Sequence, residues 1–164
     1  MTERAAGGSH RDRRFVAAHR GGPLRLEDHR RLADWASACA ERAVQALPDD
    51  RPRWAVDTAR AWARGNATTG EAQRAAWASH AAAREASTPD AIAAARAAGH
   101  AAATAHMADH SLGAALYACR AIAARGGDAN AERAWQLAAL PADLRPLVVS
   151  ALGAARFRRF DVAA

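Results

Sequence analysis

From Leu24 to Leu152, apolar residues recur at steps of three and four, and no stretch alternates with the period of two that a strand requires. That pattern confines the chain to helices. The stripes are mostly alanine, which makes up 51 of the 164 residues. Alanine is the best helix former, and its methyl group lets neighbouring helices approach closely. The large side chains are few, so the five tryptophans and scattered leucines must fill the centre.

Punctuation between the stripes predicts a compact all-α bundle of about six helices. Leu32, Trp35, Ala36, Cys39, Ala43, Ala46 and Leu47 form the first stripe, which Pro48-Asp49-Asp50 ends. Pro52 suits the first turn of a second helix, which runs through Trp54, Val56, Ala59 and Trp62 to a stop at Gly65. Thr68 and Glu71 form a capping box for a third helix, through Trp77 and His80 to about Ala86. Thr88-Pro89 starts a fourth, expected to reach Met107. Asp109 or Ser111 caps a fifth, carrying Leu112, Ala115, Leu116, Cys119 and Ile122 to Gly126-Gly127. A sixth runs from Asp128 to Leu140, and a last amphipathic segment follows Pro141 with Leu144, Leu147, Val148, Ala151 and Leu152. Short connections make sequential helices mostly antiparallel neighbours.

The domain organisation expected is a disordered basic tail over residues 1–23 and a helical domain over 24–164. The tail holds Gly7-Gly8, Gly21-Gly22-Pro23 and little apolar periodicity. Its Arg4, Arg11, Arg13, Arg14 and Arg20 face only Glu3 and Asp12, so it supplies about half of the formal net charge of +6. Every basic side chain is arginine. The helical body intersperses both signs without the clustered basic face of a nucleic-acid binder, so nucleic acid is not an expected partner. The start of the chain has no apolar signal region, and charged residues break every alanine run. Cys39 and Cys119 sit in apolar stripes without a C-x-x-C spacing, as reduced thiols would. A cytoplasmic protein without a membrane segment is therefore expected.

No catalytic signature is present: no G-x-S-x-G, no phosphate loop, no H-E-x-x-H and no dinucleotide fingerprint. The expectation leans away from an enzyme, and histidine placement is the remaining chemical signal. If the fourth helix reaches Met107 and beyond, His106 and His110 lie four residues apart on one face, a spacing at which both can reach one metal ion. Asp109 would point about 100° away from His110, and His100 about 120° away from His106. His80 shares a face with Trp77. A ligand pocket, if there is one, should be walled by Trp35, Trp62 and Trp77 and oriented by His80, His106 and His110. Core tryptophans and buried, hydrogen-bonded histidines are the commoner roles for such residues. No cofactor is expected, with a divalent metal on His106 and His110 as the alternative.

Several runs carry a family resemblance. They are Leu26-Glu27-Asp28-His29-Arg30, Trp35-Ala36, Cys39-Ala40-Glu41-Arg42, Asp49-Asp50-Arg51-Pro52 and Ala61-Trp62-Ala63-Arg64-Gly65. Ser79-His80 through Ala86, Thr104-Ala105-His106 and His110-Ser111-Leu112-Gly113 continue the series. In that order and spacing, the chain resembles the bacterial Imm-5-like putative immunity protein family over most of residues 24–150. The resemblance implies an intracellular helical protein that neutralises a toxin partner by occlusion, and it assigns no catalytic or binding residues. The alternative is a small-molecule or metal-dependent site lined by histidines within the bundle.

Overall fold

The structure, a computed structural model, describes residues 11–160. Seven helices are present among them: α1 (Leu26–Val44), α2 (Asp50–Ala63), α3 (Thr69–Glu85), α4 (Pro89–Ala103), α5 (His110–Ala124), α6 (Ala129–Ala139) and α7 (Arg145–Leu152). Three 3-10 turns, Arg13–Phe15, Ala18–Arg20 and Ala155–Phe160, flank them. The all-α bundle expected from the periodicity is the fold observed. The segment after Pro141 forms a seventh helix, with Pro146 in its first turn.

The centre of the bundle is α4, which packs against α1, α2, α3 and α5. Its sequence explains how one helix can have four neighbours. Ala93, Ala94, Ala95, Ala97, Ala98, Gly99, Ala101 and Ala102 are all buried, so at these positions the neighbours meet nothing larger than a methyl group. The helix starts follow local chemistry. Thr68 accepts from the Glu71 amide while Glu71 returns a bond to the Thr68 amide, the full capping box. The Asp49 and Asp128 carboxylates accept from the first free amides of α2 and α6.

Hydrogen bonds fasten α6 to the bundle, beside the apolar contacts of Trp135 and Leu137 with the core. The Trp35 indole donates to the Gln136 carbonyl at 2.8 Å, and Gln136 Nε2 donates to the Ala115 carbonyl at 3.0 Å. The Cys119 thiol donates to Gln136 Oε1 at 3.4 Å. Arg42 grips the buried Glu132 through Nε, at 2.9 and 3.2 Å from the two carboxylate oxygens. Burial pushes the Cys39 and Cys119 thiols upward, so both stay protonated at neutral pH.

Two sequence expectations need correction. The fourth helix ends at Ala103 and does not reach Met107. The buried Thr104 hydroxyl donates back to the His100 carbonyl, and the Thr104 carbonyl is taken by His29 Nε2 at 2.5 Å. With that carbonyl diverted, the chain descends through 3-10 bonds, His106 to Ala103 and His110 to Met107, before α5 begins. The second concerns the segment expected to be disordered. Residues 1–10 lie outside the described residues, but residues 11–23 fold onto the body. Phe15 is buried there, and residues 16–18 and Leu24 are tied by bonds from Leu24 N to Val16 O and from Ala18 N to Leu24 O. Gly21, at φ 80°, supplies the left-handed turn between them. A single aromatic anchor has no period, so pattern reading misses it.

Candidate functional site

Ending α4 early creates a six-residue junction, residues 104–109, around which five of the seven histidines gather. Three come from successive helices and form a row. The rings of His80 (α3) and His100 (α4) meet edge to face at 5.3 Å, and those of His100 and His110 (α5) lie 5.2 Å apart. The Nδ1 atoms of His100 and His110 are 3.0 Å apart, so one donates to the other. Tyr117 stacks on His100 at 5.3 Å and 16°.

Two glycines make room for the row. A Cβ on Gly99 of α4 would stand 2.5 Å from the His80 ring, and one on Gly113 of α5 would stand 2.7 Å from His100 Nδ1. Each ring thus lies against the glycine of the next helix. Glycine inside a helix sacrifices about 1 kcal/mol relative to alanine, so Gly113→Ala would ordinarily stabilise. Here it should destabilise by about 1–2 kcal/mol because the ring must leave its place. In a His100→Ala background the same substitution should become stabilising by up to about 1 kcal/mol. Urea unfolding of the four proteins measures this, and a substitution of the same sign in both backgrounds would contradict the packing argument.

Burial holds the row neutral. The His100 imidazole is pushed down to about 3, by desolvation first and then by His110, His80, Arg96 and Arg159. His80 is lowered to about 4 by desolvation, with help from Arg96, His110 and Arg84. His110 is lowered too, by desolvation, against the opposing pull of Asp109.

His29 and His106 lie on the other side of the junction, lining a small cavity of about 120 Å³ with Arg11, Arg20 and Phe15. His29 is 1% exposed and rests on the Trp62 ring at 4.8 Å. A carbonyl only accepts, so His29 Nε2 carries the proton in its bond to Thr104. Desolvation keeps the ring neutral, which leaves the buried Nδ1 a lone pair without a partner among the described residues. His106 Nδ1 meets Arg20 Nη2 at 3.4 Å.

The sequence-predicted site residues therefore separate. His80 and His110 belong to the row, which His100 joins in the middle. His106 lines the His29 cavity, while His110 lines a second cavity with His100, and Arg11 lines both. The continuous helix that would have put His106 and His110 on one face is absent, since α4 stops at Ala103. Among the described residues no group of three or more His, Cys, Asp or Glu is placed to hold a metal ion. Trp62 supports His29 from the core. Trp35 lines a separate open cleft of about 690 Å³ with Arg30, Arg64 and Pro141. Trp77 is 66% exposed and walls none of these spaces. Sequence reading left His29 outside the candidate site and set His100 apart because it points away from His106 on an ideal helix. The available signal was glycine: Gly99 and Gly113 interrupt alanine-rich helices where only a close approach repays the loss.

Fold and site together define an alanine-cored helical bundle with a histidine-lined junction at the end of its central helix. The family model of the Imm-5 like putative immunity protein matches residues 22–143, from just before α1 to beyond α6. The chain belongs to that family. Neither the curated proteins nor the solved structures contain a match to it. No helix among the described residues is long and apolar enough to cross a membrane.

Proposed function

We propose that this chain acts in the cytoplasm as an immunity protein, neutralising a protein toxin by binding over its working surface. Family membership across residues 22–143 carries the reading. The surface supports it with two large aromatic side chains on the adjoining helices α2 and α3. Trp54 is 47% exposed and Trp77 66%, and exposed tryptophans are the side chains that most often anchor protein interfaces.

The test is co-expression with the toxin encoded beside its own gene. Cells carrying both proteins should grow, and the pair should co-purify. Trp77→Ala and Trp54→Ala should weaken the complex, each by about 2 kcal/mol if the residue is a hot spot, with little change in folding since both are exposed. Growth arrest despite equal expression, with no complex recovered, would reject the reading. Protection that survives both substitutions would move the interface away from α2 and α3.

A further inference from the structure

The two ends of the described chain meet over α5. Arg14 Nη1 donates to Ser150 Oγ at 3.2 Å, and Arg120 Nη2 donates to the Arg159 carbonyl at 2.8 Å. Between these ends and the His100–His110 pair lies a cavity of about 280 Å³. Arg11, Arg156 and Arg159 line it, with Asp109 as the carboxylate, 3.4 Å from Arg11 Nε. Asp12 feels the charge of Arg156, but its own carboxylate is held by Arg14. Among the described residues, three guanidiniums against one carboxylate leave the lining with a net of two positive charges, and burial keeps His100 and His110 beside it neutral. One wall is aromatic: Tyr117 and Phe160 meet edge to face at 5.0 Å, and the Arg120 and Arg159 guanidiniums lie 4.5 and 5.0 Å from the Phe160 centroid.

We infer that this cavity binds a phosphate monoester carried on a flat ring. A monoester approaches two negative charges at neutral pH, matching the lining, and planar guanidiniums bind its oxygens in pairs. The ring takes the Tyr117 and Phe160 side, where arginines already stack on an aromatic face. The histidine pair fits the same ligand. When His100 donates through Nδ1, a neutral His110 carries its proton on Nε2, and an imidazole N–H can donate to an oxyanion without the ring ionising. The folding of residues 11–15 against the body, with Phe15 buried, is what places Arg11 in the wall.

Calorimetric titration of the full chain with phenyl phosphate, inorganic phosphate and benzoate tests this. Phenyl phosphate should bind about tenfold more tightly than either fragment, and Arg11→Ala and Arg159→Ala should each weaken it about tenfold. Arg159→Ala keeps the backbone carbonyl that Arg120 uses, and melting curves verify that both variants fold. Benzoate binding as tightly as phenyl phosphate would overturn the assignment of a dianion. Inorganic phosphate doing so would overturn the ring, and unchanged affinity in both arginine variants would overturn the site. Neither Trp54 nor Trp77 lines the cavity, so the arginine variants should still bind a protein partner, which keeps this test separate from that of the toxin.

Discussion

Arg42→Ala is expected to destabilise the protein by about 3 kcal/mol, the lower end of the range for breaking a buried ion pair. The two partners are unequal. Glu132 is 3% exposed, whereas the Arg42 side chain remains 41% exposed, stacked over the Trp135 ring at 4.0 Å. Removing the arginine strands a carboxylate whose other partner is the long 3.4 Å contact from Gln136 Nε2. Removing the carboxylate instead leaves an arginine that can turn to water. Glu132→Leu should therefore cost less than about 1 kcal/mol, and the double variant Arg42→Ala/Glu132→Leu should recover most of the loss. Urea unfolding at pH 7 measures all three. Equal losses for the two single variants would mean that the pair behaves as an exposed one.

That anchor also shows what a sequence pattern can and cannot reveal. The helices were legible because their signals are local: the Thr68–Glu71 box, the aspartates before α2 and α6, Pro89 at the first turn of α4, and Gly65 and Gly126 at positive φ where α2 and α5 end. The candidate site is built from contacts that no local period encodes. His29 reaches a carbonyl 75 positions along the chain, and that bond helps end α4 before His106. Continuing the apolar stripe through Thr104 therefore paired His106 with His110, when the tertiary partner of His110 is His100. Phe15 gave no warning either, being one aromatic side chain within an arginine-rich segment. The two interior glycines were the one local trace of the site, visible as a departure from helix propensity.

Acid should unfold this protein earlier than its carboxylates alone would require, because the histidine row is neutral in the fold. The ordinary value for His100 is 6.5 and its folded value about 3, so between those limits the unfolded chain binds the proton and the folded one does not. Stability is then fully present above about pH 6.5 and falls as pH drops toward 3. At pH 4.5 the loss from His100 is about 2–3 kcal/mol, and His80, held at about 4 but nearer to solvent, adds a smaller share. Staying above pH 4.5 separates this effect from the ion-paired Asp49 and Asp143, whose carboxyls are held below their ordinary 3.8 by Arg51 and Arg31 and take up protons only at lower pH. His100→Gln should be less stable at pH 7, having lost the ring that stacks on Tyr117 and packs against Gly113, yet its stability should fall only about half as steeply between pH 6.5 and 4.5. Chemical unfolding at half-unit pH intervals reads both slopes. Parallel curves for the two proteins would place the acid sensitivity elsewhere, whereas converging curves would locate it in the row that Gly99 and Gly113 make room for.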